Sequence, residues 1–101
     1  MTANQAQTTH LKERFIEING EMLRIRRAPS IFSNRHGLID VRVARRGDWG
    51  TLASDGHRYH TIGTFALESR ARLGYGSGVL PEGFPFDAIF SDDFFNVQAA
   101  A

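Results

Sequence analysis

The side chains best equipped for chemistry in this chain are guanidinium groups. Eleven of its 12 basic residues are Arg, the side chain suited to bidentate contacts with carboxylate or phosphate and to stacking on rings. Arg24, Arg26, Arg27, Arg42, Arg45, Arg46 and Arg58 crowd the middle of the chain, and beside them stand Asp48, the single Trp (Trp49) and Tyr59. An arginine face next to two aromatic rings is equipped to meet an acidic protein surface, or phosphates with bases stacked on the rings. The sequence therefore predicts a partner-binding set of Arg24, Arg26, Arg42, Arg45, Arg46, Asp48, Trp49, Arg58 and Tyr59, with a protein partner preferred over nucleic acid.

Other constellations carry less. His36, His57 and His60 are candidate metal ligands. His57 and His60 are three apart, which puts them on opposite faces of a strand, so a shared ion would require a bent loop with His36 and Asp55 or Asp48. Ser54 or Thr61 with His57 or His60 and Asp55 could be arranged as nucleophile, base and orienter, yet no G-x-S-x-G elbow accompanies them. Gly74-Tyr75-Gly76-Ser77-Gly78 has the composition of a phosphate-cradling loop without its spacing or a Lys. Arg46-Gly47-Asp48 matches the adhesive tripeptide by letters alone and reads as a turn. No catalytic residue, metal ligand or cofactor is assigned, and the chain is expected to be a non-catalytic accessory or regulatory protein; a small His-based or metal-dependent enzyme trails.

Charge divides the chain. Residues 1 to 72 hold all 12 basic residues against seven acids, a net of +5, whereas residues 73 to 101 hold four acids and no Lys or Arg, a net of −4. The basic body is matched to an acidic partner, or to the chain's own tail. Absence of Cys removes disulfides and thiolate chemistry and fits a reducing compartment. No stretch reads as a signal segment or a membrane span, so a cytoplasmic protein is expected.

The elements that must position these groups read as strands. At 101 residues, 42% hydrophobic and 23% charged, the chain fits one domain with one core. Asn19-Gly20 is a two-residue hairpin signal between Leu11 and Arg27. With that turn Ile16 faces Leu23 and Arg14 faces Ile25; Ile16, Ile18, Leu23 and Ile25 share one face, and Phe15, Glu17, Met22 and Arg24 the other. A helical stripe of Leu11, Phe15, Ile18, Met22 and Ile25 competes, but it would place Gly20 mid-helix. Leu38 to Ala44 alternates, with Ile39, Val41 and Val43 on one side and Asp40, Arg42 and Ala44 on the other. Arg45 to Asp48 reads as a turn. Asp55-Gly56 predicts a second type I′ hairpin, placing Leu52 opposite Tyr59 and Thr51 opposite His60.

Further signals complete the picture. Thr64 as cap, Arg70 and Arg72 in the last turn and Gly74 as stop predict a short helix over Thr64 to Leu73. Five of the eight Phe lie in residues 84 to 95 beside three Asp, and Phe86, Ile89, Phe90 and Phe94 fit a helical face that packs on its own domain or a sister subunit. The expected fold is α+β: about five antiparallel strands in hairpins, with a small open barrel as variant, one short helix and a packed C-terminal segment. Residues 1–9 are expected to be a disordered arm, 10–97 the domain, and 98–101 a flexible tail. Strand edges or the Phe-rich segment offer routes to a homodimer.

Overall fold

The computed structural model describes residues 12–76, 78–91 and 93–95. The arm over 1–9, the domain's end at 97 and the tail over 98–101 lie outside the described residues. The described residues form β1 (Lys12–Ile18), β2 (Glu21–Pro29), β3 (Ile39–Gly47), β4 (Thr51–Leu52) and β5 (Arg58–Ala66), with a 3-10 turn at Ser33–Arg35 and one short helix, α1 (Phe86–Ile89). The strands make one antiparallel sheet in the order β1-β2-β3-β5-β4, curved into a half-barrel.

Asn19 and Gly20 take positive φ, 53° and 83°, the requirement of a two-residue turn whose twist matches its strands. Ile16 then faces Leu23 and Arg14 faces Ile25, as the hairpin reading expects, and the helical alternative is excluded. Alternation gives the sheet two dressed faces. On the first, Leu23, Ile25, Val41, Val43, Ile62 and Phe65 form the main core, with Ile16 and Ile18 packed against it. Leu80, Phe84, Phe86, Ile89, Phe90 and Phe94 supply the other side of that cluster. On the second, Tyr59, Ala44 and Ala53 make a smaller cluster with Phe15 and Met22.

Three expectations are corrected. Thr64 to Leu73 is not a helix: Thr64, Phe65 and Ala66 finish β5 opposite Arg42, Val41 and Asp40. The chain then turns, Arg70 adopts φ 64°, and Arg72 bridges back to Phe65. Local cap and stop signals lost to long-range burial, because Phe65 and Ala66 are 5% and 1% exposed in the strand. Gly76, not Gly74, is the glycine of this stretch with positive φ.

The second correction is the register of β4 on β5. Thr51 pairs with Tyr59 and Leu52 with Arg58, one residue from the expected pairing. Among positions 54 to 56 only Gly56 has positive φ, at 86°. The Gly56 amide donates to the Ala53 carbonyl at 3.0 Å, and the Ala53 amide to the His57 carbonyl at 2.9 Å. This is a three-residue loop with its left-handed position on Gly. A one-residue slip exchanges faces, so Tyr59 is buried at 2% exposure while Leu52 stands 60% exposed.

Third, Arg45 to Gly47 is not a turn. These residues continue β3 opposite His60, Tyr59 and Arg58, and the strand ends only before Asp48, Trp49 and Gly50. That short segment carries the chain over β5 from one neighbour to the other. The crossing is close: a side chain at Gly50, already at φ 113°, would overlap the Tyr59 carbonyl.

Candidate partner-binding face

Strand alternation and register decide which arginines meet. Arg26 lies directly opposite Arg42 and Arg24 opposite Ala44, while Arg42 lies opposite Thr64 and Arg46 opposite Tyr59. Arg24, Arg26, Arg42 and Arg46 therefore share the second face of the sheet, as the sequence expects of the first three. The row Arg26, Arg42, Thr64 runs across β2, β3 and β5.

These cations differ in how they are satisfied. The Arg24 Nε donates to Glu13 Oε2 at 2.6 Å, a half-buried ion pair whose carboxylate comes from β1. The Arg42 Nη2 donates to the Pro29 carbonyl at 2.8 Å. Arg26 has no carboxylate within ion-pair distance among the described residues. Burial, then the charges of Arg24 and Arg42, lower its pKa from the ordinary guanidinium value. Like charges directly opposite on neighbouring strands repel, and Glu13, directly opposite Arg26 on β1, offsets part of that repulsion.

Tyr59 is not a stacking platform. Its ring packs 5.5 Å from Phe15, and its hydroxyl donates to Asp55 Oδ2 at 2.7 Å. Burial and that hydrogen bond push its pKa up to about 12. Burial tends to raise the Asp55 carboxyl, but the hydrogen bonds from Tyr59 and from the His57 amide hold it below its usual value.

The remaining expected site residues lie elsewhere. Arg45 alternates to the first face, where its Nε donates to Glu21 Oε1 at 3.0 Å and its Nη2 to the Val79 carbonyl at 3.0 Å. Arg58 donates to the Gly50 carbonyl at 3.0 Å. Neither can join the guanidinium row, because an odd offset along a strand reverses the face. Asp48 is exposed at the end of β3. Trp49 is 65% exposed yet ordered by His60, with ring centroids 4.4 Å apart and planes inclined 12°. The two rings, with Tyr75 and three glycines, line a cleft of about 460 Å³ at the β5 edge. His57 is exposed in its turn; among the described residues no group of three or more His, Asp or Glu could hold a metal ion.

Sequence reading missed a network beside the row. Arg35, from the 3-10 turn, donates through Nη2 to Asp40 Oδ1 at 2.9 Å and through Nη1 to Glu68 Oε2 at 2.5 Å. Asp40 is wholly buried. Arg35 holds the Glu68 carboxyl below its usual value, and its own pKa is raised by the two carboxylates. Nothing local signals this, since Arg35 and Glu68 are brought together only by the β3–β5 pairing. Thr64 was missed for the same reason, having been read as a helix cap.

No helix among the described residues is long and apolar enough to cross a membrane. Compared with known proteins, the chain matches no family model, no curated protein and no solved structure.

Proposed function

We propose that the chain is a non-catalytic binding module that engages an acidic surface of a partner protein. The contact is made by the guanidinium face of β2 and β3, with Arg46, Asp48 and Trp49 at its rim, and the protein acts as a cytoplasmic accessory or regulatory factor. One observation carries the reading: Arg24, Arg26, Arg42 and Arg46 share one face although Arg26 and Arg42 repel across the strand pair. A fold gains nothing from that repulsion by itself, whereas an acidic partner converts it into attraction. Within this reading the Phe-rich segment covers the opposite face in cis, leaving the arginine face for the partner. The outer edge of β1, to which no described strand pairs, is where a second copy would add.

The test is affinity capture with the wild-type chain and with Arg42→Glu and Arg46→Glu. One stoichiometric acidic partner, lost in both variants while their melting is unchanged, supports the reading. Equal capture by all three removes it. Sedimentation of the purified chain reports the dimer.

Trp49 favours nucleic acid as the second reading, because an exposed indole held flat against an imidazole is a platform for a base. That reading requires quenching of Trp49 fluorescence by single-stranded oligonucleotides and an affinity that falls steeply with salt. Unchanged fluorescence at low salt excludes it.

A further inference from the structure

The single Trp of the chain stands at the β5 edge with most of its ring in water. Trp49 is 65% exposed, yet its indole lies 12° from parallel to the His60 imidazole, with centroids 4.4 Å apart. A freely rotating surface ring would keep its side-chain entropy; stacking holds this one in one orientation and leaves the rest of it to solvent. Tyr75, 47% exposed, lines the same cleft of about 460 Å³, and its ring meets no other ring among the described residues. Trp and Tyr combine a large apolar face with a polar tip, and they are enriched where something covers them.

The rest of the lining is uncharged. No Asp, Glu, Lys or Arg borders the cleft, so a cation over the rings would find no carboxylate there and an anion no guanidinium. The hydroxyls of Thr51, Thr61 and Tyr75, all in the lining, make no hydrogen bond within the described residues, and each can donate and accept. Two of the three lining glycines are required by the chain itself, because a Cβ at Gly50 or Gly76 would collide with the β5 backbone. Gly74 has no such requirement: its φ is not positive, and a Cβ there would meet nothing within 4 Å. Glycine at an unstrained position costs stability through the unfolded chain; here it keeps one wall of the cleft clear.

We infer that the Trp49–Tyr75 cleft binds one uncharged planar heterocycle with a polar edge, the chemistry of a nucleobase. Its volume falls in the range of small-ligand sites, roughly 300–1,000 Å³. The heterocycle stacks on the aromatic wall, while the three hydroxyls meet the nitrogens and carbonyls of its edge. A phenyl or pyrrolidine ring would cover the same wall but leave those hydroxyls unanswered. Free nucleosides and single-stranded nucleic acid both carry such a ring. The inference does not depend on the binding-module reading, since no arginine of the guanidinium face lines the cleft.

Trp49 is the only Trp, so its emission reports the cleft. The intact chain is titrated at fixed ionic strength, by Trp49 emission and by calorimetry, with adenosine, uridine, ribose, a short single-stranded oligonucleotide and a proline-rich peptide. Saturable binding of a base-bearing ligand, with no response to ribose, is expected. Tyr75→Ala should weaken it about tenfold, the worth of one base–aromatic stack, and Tyr75→Phe, which keeps the ring, only several-fold. Gly74→Leu should fill the cleft and weaken binding at least about tenfold with melting no lower than wild type. Arg42→Glu should leave binding unchanged.

The outcomes separate the sources. Nucleosides bound as tightly as the oligonucleotide support the site with a free nucleoside as its ligand. An oligonucleotide that binds where nucleosides do not, and is lost in Gly74→Leu, supports it with single-stranded nucleic acid as the source. Base binding that Gly74→Leu and Tyr75→Ala both leave unchanged overturns the cleft. A proline-rich peptide bound more tightly than any base overturns the ligand class. Absence of any saturable response from the folded wild type overturns the site outright. Capture of an acidic partner by the arginine face stands or falls separately, on Arg42→Glu and Arg46→Glu.

Discussion

The Tyr59 hydroxyl lies against apolar neighbours with its proton directed at a carboxylate, so ionising it would bury a phenolate beside Asp55. In the unfolded chain a Tyr ionises near pH 10, while in the fold Tyr59 is pushed up to about 12. A raised folded pKa means that the stabilisation is full below about pH 10 and is lost as pH climbs toward the folded value. Phenolate absorbance of the Tyr75→Phe variant should therefore show Tyr59 ionising at about pH 12 in the folded chain, with Asp55→Asn lowering that midpoint; a midpoint near the ordinary value of about 10 in the folded protein contradicts this. The Arg35 network runs the opposite way. Glu68 is held low by Arg35, so its contribution is present above the ordinary carboxylate pKa of about 4.3 and disappears as pH falls through its folded value. Arg35→Ala would strand Asp40, which is 0% exposed, as a buried unpaired charge, and urea denaturation should register a loss of about 3–5 kcal/mol. A loss under about 1 kcal/mol would mean that water reaches the carboxylate.

At the scale of elements, the short β4 and the crossing before it set where Trp49 stands. Gly50 passes so near the Tyr59 backbone that Gly50→Ala requires both a left-handed Ala and displacement of a strand. We expect a loss of at least about 2 kcal/mol in urea, with Trp49 fluorescence changing as its stack on His60 breaks. Gly56→Ala meets open space and should cost only about 1 kcal/mol, the penalty for positive φ alone. Equal losses for the two variants would show that close approach at Gly50 has no part. The bulge in β5 belongs here too. Val43 pairs with Gly63 and Ala44 with Thr61, so Ile62 is the inserted residue, and it enters the main core. A bulge of this kind increases local twist, in keeping with the curvature of the sheet.

For the molecule as a whole, the two faces are closed by different means. The first is covered by aromatic side chains from the C-terminal segment, whose acidic residues meet arginines at its margin, as in the 2.9 Å pair of Asp87 with Arg70. Arg14 and Arg70 also sit over the Phe94 and Phe90 rings, so part of the basic excess is spent within the chain. Ile89 is the apolar anchor of α1 at 0% exposure; Ile89→Ala should cost about 2–5 kcal/mol if the cover is made in cis. Concentration-dependent stability in that variant would point instead to cover supplied by a second copy. The second face is closed by arginines and by the smaller cluster of Ala44, Ala53 and Tyr59 with Phe15 and Met22.

What the sequence determined by itself is the local part. Asn19-Gly20 specified its hairpin and register, since few dipeptides accept two positive φ values, and the alternation of Ile39, Val41 and Val43 specified which side of β3 is buried. Strand pairing between β2 and β3 then put Arg24, Arg26 and Arg42 on one face, as alternation required. Tertiary structure decided the rest, because it turned on competition between distant segments. Burial of Phe65 and Ala66 against β3 overrode the helix signals after Thr64. The choice between a two-residue and a three-residue loop at Asp55-Gly56 was settled by the gain from burying Tyr59, and that one-residue slip removed a ring from the surface. Arg26 opposite Arg42 opposite Thr64, with Arg35 and Asp40 adjoining, is a relation among residues up to 38 positions apart, and no local rule of turn, cap or period reaches that far.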